Sequence, residues 1–131
     1  MKIYKFVGLI CTDLKITFRG RQKILKNAVI DTGAAETIIN SKCVKDLGIK
    51  PEYIDDVCFT YGIGGELPYF KKEIDLLVID SEEFRNITVD FGEIDSSCDV
   101  SAVIGLNLLE KIRAVIDVEI PKITLKNDIN S

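Results

Sequence analysis

The sequence predicts a mostly β fold, and three observations lead to that prediction. Val, Ile, Phe, Tyr and Thr recur in runs of about four to eight residues, which is typical of strands. Gly, Pro, Asp and Asn separate these runs, and helical patterns are few. The 131 residues are 47% hydrophobic and 29% charged, with no repeat or linker, so we expect a single domain over residues 1–131. Within it, residues 127–131 are expected to form a loose tail.

The individual strands follow from these apolar runs, each of which is bounded by turn-forming residues. The predicted strands are Ile3–Ile10, Leu14–Phe18, Ile24–Ile30, Val57–Tyr61, Tyr69–Ile79, Ile87–Phe91, Val100–Ile104, Ala114–Val118 and Lys122–Leu125.

Two short helices are predicted between the strands. The first spans Ser41–Leu47, with Asn40 or Ser41 as its N-cap and Gly48 just beyond its end. The second follows Gly105, where apolar residues recur at a spacing that a helix places largely on one face. Those residues are Leu106, Leu108, Leu109 and Ile112.

The absence of histidine from the sequence excludes several kinds of chemistry. Ser-His-Asp and Cys-His nucleophile systems, His-rich zinc and iron sites and imidazole acid–base catalysis all need this residue. Proton transfer must therefore use carboxylates, Lys, Tyr or Cys. We expect neither a metal nor another cofactor.

Charge and hydropathy favour neither a nucleic-acid nor a membrane partner. The 17 Lys and Arg residues and 21 Asp and Glu residues give a net charge of −4, without a basic run. No apolar run approaches the roughly 20 residues that span a bilayer. The start at Met1–Phe6 lacks the long apolar stretch and cleavage site of a signal peptide. A cytoplasmic protein is expected.

The four cysteines lie far apart in the sequence and form no Cys-x-x-Cys pair. With no sign of an oxidising compartment, we expect buried free thiols rather than disulfides. The residues concerned are Cys11, Cys43, Cys58 and Cys98.

The first segment with chemical content is Asp31-Thr32-Gly33, which directly follows an apolar strand ending at Ile30. Taken alone, it is also compatible with a plain turn in which the Asp side chain accepts backbone N–H groups. However, a carboxylate at the end of a buried strand is costly unless something pairs with it. These surroundings strengthen the functional interpretation.

Two glycine-containing segments come later in the chain. Gly62–Gly65 is flanked by predicted strands, which indicates a hairpin tip, and the apolar Ile63 at that tip suggests that it covers something. Ala102–Ile104 runs into Gly105 and the second predicted helix. Ordinary counterparts exist for both segments, namely a glycine-rich turn and a common strand-to-helix corner with Asn107 near the helix start.

In this order, the three segments resemble the retropepsin family of aspartic proteases, the retroviral proteases and their bacterial and eukaryotic relatives. The family pattern combines an apolar-apolar-Asp-Thr/Ser-Gly-Ala/Ser motif, a Gly-rich flap and an apolar-apolar-Gly motif that opens a helix. The matching residues are Val29-Ile30-Asp31-Thr32-Gly33-Ala34, Gly62-Ile63-Gly64-Gly65 and Val103-Ile104-Gly105. The next residues, Leu106-Asn107-Leu108-Leu109, resemble the Arg-Asn-Leu-Leu of retroviral enzymes. The resemblance extends from Ala28 to Ile112 and implies a closed or rolled β-barrel and peptide hydrolysis.

The resemblance further implies that two copies of Asp31 form one site. Two carboxylates must share one proton, so that one activates a water while the other donates to the substrate carbonyl. The chain has a single Asp-Thr/Ser-Gly, because Asp80-Ser81-Glu82 and Asp95-Ser96-Ser97 lack the glycine. A two-lobed, pepsin-like monomer would need more than twice this length. We therefore expect a homodimer, with the site on its two-fold axis and an extended polypeptide as substrate.

Other roles are implied residue by residue. Asp31 would be the catalytic acid and base, Thr32 would cross to the partner chain, and Gly33 would offer its carbonyl to the substrate. Ile63 resembles the flap-tip residue that binds the substrate carbonyls through a water. The remaining matches are Ala34, Ala35, Ile38, Gly62, Gly64 and Val103 as substrate-binding residues, and Thr37, Gly105 and Asn107 as structural support.

The chain departs from the retroviral pattern at one pair of positions. Retroviral enzymes carry an Asp and an Arg, joined as an ion bridge, where this chain has Ala35 and Leu106. Both partners are absent together, so no buried charge is left unpaired. The dimer is therefore expected to be braced differently, with the apolar segment beyond Ile112 as a candidate interface.

Two other functions compete with the protease interpretation. A non-catalytic binding or dimerisation module could use the same fold, although such a module has no chemical reason to keep Asp31. A glycosidase with paired carboxylates is a further alternative, but the sequence offers no aromatic platforms on which sugars would stack.

Overall fold

The computed structural model of the protein describes residues 1–62, 65–119 and 122–126. The mostly β class is confirmed, with one short α-helix and two 3₁₀ turns, at Ser41–Cys43 and Lys45–Leu47, in the described part of the chain. The elements are β1 (Tyr4–Phe6), β2 (Leu9–Phe18), β3 (Arg21–Ile30), β4 (Ile38–Asn40), β5 (Val57–Gly62), β6 (Gly65–Ile79), β7 (Glu82–Gly92), β8 (Ala102–Ile104), α1 (Leu106–Lys111), β9 (Ala114–Asp117) and β10 (Lys122–Leu125).

Six strands form a closed barrel, as the retropepsin resemblance implied. Their order around the barrel is β2, β3, β8, β4, β7 and β6, and the pairing of β2 with β6 closes the ring. Two of the pairings, β3 with β8 and β4 with β7, are parallel. Outside the ring, β1 pairs with β2 and β5 with β6, whereas β9 and β10 form a separate hairpin.

The barrel interior is filled by the apolar positions of the alternating strands. Along β2, for example, Leu14, Ile16 and Phe18 are buried, whereas the intervening polar residues are partly exposed. Phe70 and Phe91 stack with their ring centroids 5.4 Å apart. Helix α1 covers the barrel with the buried side chains of Leu108, Leu109 and, just beyond the helix, Ile112.

The prediction of one continuous strand over Ile3–Ile10 was wrong, and one observed strand was missed. Ile3–Ile10 is not continuous, because Val7 and Gly8 form a turn with φ angles of 49° and 79° that folds β1 back onto β2. The predicted strand Leu14–Phe18 is the second half of β2, and the later predicted strands overlap β3 and β5 to β10. Strand β4 escaped prediction because three residues are too few to show an alternating pattern.

The two predicted helices had different outcomes. The prediction of one helix over Ser41–Leu47 was wrong, since the segment forms the two separate 3₁₀ turns. Its predicted boundaries are nevertheless observed: the Asn40 side chain accepts the Lys42 N–H, and Gly48 ends the segment with a φ of 78°. The helix after Gly105 is present as α1. Of the helices in the described ranges, none has the length and apolar composition needed to cross a membrane.

The expectation of four free thiols was wrong for two of the cysteines. Cys43 and Cys98 form a disulfide with a Cα–Cα distance of 5.5 Å, whereas Cys11 and Cys58 are free. The disulfide connects the first 3₁₀ turn, just after β4, to the loop that leads into β8. Residues 55 positions apart meet only through the pairing of β4 with β8, so sequence spacing could not reveal the bond.

A buried lysine holds the segment that leads into the β5–β6 hairpin. Lys72 on β6 is 4% exposed, and its ammonium group is paired with the carboxylates of Asp55 and Glu52. Burial disfavours the charged form of Lys72, but its bonds to Asp55 and Glu52 outweigh this effect and raise its pKa. The Lys71 N–H also donates to the Asp56 carbonyl. The base of the hairpin is therefore firmly attached to the barrel.

Candidate active site

The loop that carries Asp31 lies at the end of β3 and is open to solvent. The Asp31 N–H donates to the Ile104 carbonyl at 3.0 Å, which continues the pairing of β3 with β8. The Gly33 N–H donates to Asp31 Oδ1 at 2.8 Å and turns the chain sharply. Asp31, Thr32 and Gly33 are exposed in the single chain. Although β3 is largely buried at its end, the Asp31 carboxylate is thus accessible to solvent in the single chain.

The two predicted pocket residues, Ile38 and Val103, face each other across the pairing of β4 with β8. Both are half-buried, in contrast to their neighbours Ile39 and Ala102, which point into the core. Val103 is also level with Val29 on β3, two residues before Asp31. This register places Ile38 and Val103 beside the strand that ends at the Asp31 carboxylate. We call these two residues the apolar wall.

Beneath the Asp31 loop, the side chains of Thr37, Asn107 and Glu36 form a hydrogen-bonded support that is buried at Thr37 and exposed at Glu36. The Thr37 hydroxyl donates to Asn107 Oδ1 at 2.8 Å and accepts the Gly105 N–H at 3.0 Å. Asn107 Nδ2 in turn donates to Glu36 Oε2 at 3.2 Å. The side chain of Thr37 therefore links the residues after the Asp31-Thr32-Gly33 motif to the start of α1. Glu36 is a member of this support that the sequence did not single out.

Glycine at position 105 permits close approach of the two chain segments. A Cβ atom there would overlap the Glu36 carbonyl oxygen and lie 2.7 Å from the Ala34 carbonyl oxygen. Within this close contact, the Leu106 N–H donates to Ala34 and the Asn107 N–H to the Ala35 carbonyl, at 2.8 and 3.0 Å. Ala35 and Leu106, the positions where retroviral enzymes carry their ion bridge, thus each form a backbone bond to the opposite segment rather than to each other.

The predicted flap corresponds to the hairpin of β5 and β6. These strands pair antiparallel from Val57 opposite Phe70 to Gly62 opposite Gly65. Ile63 and Gly64, which were predicted to contact substrate, lie outside the described residues, as does the tail predicted at 127–131. Gly62, the first residue of the predicted tip, is the last residue of β5.

A second polar network holds the loop between β7 and β8, and the sequence analysis missed it. The Asp95 carboxylate accepts the N–H groups of Ser97, Cys98 and Val100, and Asn40 donates to Asp95 and to the Val100 carbonyl. Burial favours the neutral form of Asp95, but these donors outweigh it and lower its pKa. The Asp-Ser-Ser sequence, which is typical of a side-chain-capped turn, was the available signal.

A shallow groove of about 150 Å³ adjoins the Asp31 loop on the side of α1. Its lining combines one residue of the motif, Thr32, with residues of α1 and β9. Leu106, at the start of α1, keeps 37% of its surface exposed there. The other lining residues are Leu109, Glu110, Arg113, Ala114 and Ile116. The loop and this mainly apolar groove form one continuous surface.

Metal ligands are not clustered in the part of the chain that the structure describes. No group of three or more His, Cys, Asp or Glu residues is arranged there to hold an ion. The site itself combines a solvent-facing carboxylate with the apolar residues Ile38 and Val103.

A closed β-barrel with Asp-Thr-Gly at the end of one strand, supported from below by a strand-Gly-helix corner, defines a protein of the aspartic protease type. Comparison with family models supports the same class: residues 14–108 match the family described as aspartyl protease, and the chain belongs to this family. The matched region includes the Asp31 loop, the β5–β6 hairpin and the start of α1, but not β9 and β10. No curated protein matches the chain.

Proposed function

We propose that the protein is an aspartic endopeptidase that hydrolyses extended polypeptides and is active as a homodimer. Membership of the aspartyl protease family supports a protease function. The single observation that carries the finer proposal is the exposed Asp31 at the end of β3, beside the apolar residues Ile38 and Val103 and above the buried hydrogen bond from Gly105 to Thr37.

The homodimer follows from the number of available carboxylates. The two other Asp-hydroxyl sequences are unsuitable, because Asp95 is occupied by N–H donors of its own loop, and Asp80 lies in the β6–β7 turn. A second Asp31 from a second copy would complete the pair on a two-fold axis. The exposed groove beside Thr32 would then be covered by the partner, which would remove both the carboxylates and Leu106 from solvent.

In the proposed mechanism, the two Asp31 carboxylates share one proton and bind a water between them. One carboxylate takes a proton from the water as it attacks the scissile carbonyl, while the other donates its proton to the carbonyl oxygen. Thr32 would contact the partner loop, and the Gly33 carbonyl would bind the substrate backbone. Ile38 and Val103 would contact its apolar side chains.

The substrate is proposed to lie as an extended strand between this floor and the β5–β6 hairpin. Such binding satisfies backbone groups by strand addition and leaves alternate side chains to be selected by pockets. Ala34, Ala35, Gly62, Ile63 and Gly64 would contribute backbone contacts from the two sides.

A cytoplasmic location remains a prediction. The disulfide between Cys43 and Cys98 is the observation that weighs against it, because persistent disulfides are more frequent in oxidising compartments.

A peptide-library cleavage assay tests the proposed function. Asp31→Asn should lower the rate about a thousandfold or more, because a neutral amide cannot act as acid or base. Asp80→Asn makes the same chemical change in the exposed β6–β7 turn and should leave cleavage unchanged. If wild type and Asp31→Asn are folded dimers and neither cleaves any peptide, the protein is instead a non-catalytic binding or dimerisation module.

A further inference from the structure

Gly92, the last residue of β7, lies between two parts of the proposed substrate site. In the barrel, β7 runs between β4, which carries Ile38, and β6, which continues into the β5–β6 hairpin. Gly92 is level with Asn40 on β4 and with Tyr69 on β6. It is therefore the point where the apolar wall and the base of the hairpin approach each other.

The space that a side chain would need at Gly92 is already occupied. A Cβ atom there would lie 3.0 Å from the Ile38 Cδ1 methyl, 3.1 Å from Tyr69 Cβ and 3.3 Å from the Pro68 carbonyl oxygen. The first contact is with Ile38 of the proposed apolar wall. The other two are with Tyr69 and Pro68, at the base of the hairpin. Ile38 and the hairpin base therefore both pack against the Gly92 backbone.

The backbone conformation at position 92 does not require glycine. The φ angle of Gly92 lies outside the left-handed region, so an L residue could adopt it. Glycine within a strand lacks a side chain to pack and weakens the strand, so it often marks a site of close approach. At Gly92 the close approach is that of Ile38, Tyr69 and Pro68 to the Gly92 backbone.

We infer that Gly92 is a positioning residue that sets the distance between the hairpin base and Ile38, and thereby the position of Ile38 against the apolar substrate side chain that it would contact. This inference rests on the proposed peptidase function. The Ile38 Cδ1 methyl is the nearest atom to the missing Cβ, so its position and that of the hairpin depend on each other. Adding one methyl group to Gly92 would displace either the wall or the hairpin.

The test is a size exchange between Gly92 and Ile38. Gly92→Ala should lower kcat/KM about tenfold, mainly through KM and most for peptides with bulky apolar side chains, because the wall and hairpin no longer fit the substrate. Adding Ile38→Val removes the Cδ1 methyl that the new Cβ meets most closely and should restore part of the lost kcat/KM, measured against Ile38→Val alone because Ile38 is itself a proposed substrate-binding residue. The matched control is Ile39→Val, which removes the corresponding methyl group from the core-facing side chain next to Ile38. Added to Gly92→Ala, it should not restore kcat/KM.

The outcomes separate this inference from the proposed function. An unchanged cleavage profile in folded Gly92→Ala, or equal rescue by Ile39→Val, would overturn the positioning role while leaving the peptidase assignment intact. Absence of all cleavage in wild type would instead overturn the proposed function. If Gly92→Ala does not fold alone, folding of the double variant with Ile38→Val but not with Ile39→Val supports the contact, and failure of both contradicts it.

Discussion

The exposed Asp31 loop and the hydrogen-bonded support beneath it are organised in opposite ways. We call this support, formed by Thr37, Gly105 and Asn107, the framework. In the framework, the side chains of Thr37 and Asn107 hydrogen-bond to each other and to neighbouring groups within one chain. In the loop, the Asp31 carboxylate accepts the Gly33 N–H and faces solvent. The difference indicates that the fold of one protomer is completed by its own residues, whereas its proposed chemistry requires residues from a second copy.

If the framework determines protomer stability, its most crowded position should be the most sensitive. Gly105→Ala should destabilise the fold by about 3 kcal/mol, because the added Cβ overlaps the Glu36 carbonyl oxygen, part of a backbone that cannot easily shift. We expect a fall in melting temperature of about 10 °C, measured by circular dichroism. A melting temperature within a degree of wild type would contradict the close contact at Gly105.

Thr37→Val tests the hydrogen bonds of the framework without changing its volume. The variant leaves the buried Gly105 N–H without its acceptor and should cost about 2 kcal/mol. Thr17→Val is the matched control, because the buried Thr17 hydroxyl has no hydrogen-bond partner among the described residues. The control should be neutral or stabilising in urea unfolding. Equal losses in the two variants would show that the hydroxyl of Thr37 acts only through packing.

A smaller effect on stability is expected at Asp95. Its carboxylate accepts hydrogen bonds from its own loop, whereas that of Asp31 is exposed. The pKa of Asp95 is lowered in the folded protein, so it stabilises the fold above its unfolded pKa of about 4. That contribution is lost as the pH falls through the lower, folded pKa. Asp95→Asn should therefore be less stable at pH 7 and lose less stability between about pH 4 and 2. An unchanged slope, measured by urea unfolding, would show that Asp95 contributes nothing to acid sensitivity.

The features that the sequence predicted depend on neighbouring residues. The turn at Asp31-Thr32-Gly33, the hairpin of β5 and β6 and the helix after Gly105 are each encoded within about a dozen residues. Their order and spacing carried the family resemblance, which supplied the barrel that local patterns could not specify. The roles assigned to individual site residues stay predictions.

The features that the sequence did not predict depend on distant contacts. Two contacts join β4 and the 3₁₀ turn after it to the loop before β8, across more than 50 residues. They are the bond between Cys43 and Cys98 and the pairing of Asn40 with Asp95. The close approach at Gly92 likewise arises only when β4 and β6 flank β7. A single sequence contains no local pattern for such contacts.

Mixing wild type with Asp31→Asn tests most directly the claim that two copies of Asp31 form one site. Wild-type concentration is held constant, and a threefold excess of folded Asp31→Asn is added under conditions that allow subunit exchange. Random pairing leaves a quarter of the wild-type chains with a wild-type partner, so peptide cleavage should fall to about one quarter. Adding the same excess of Asp80→Asn, which keeps Asp31, should not reduce cleavage. Full retention of activity in the Asp31→Asn mixture, with heterodimers detected by native mass spectrometry, would contradict the shared site.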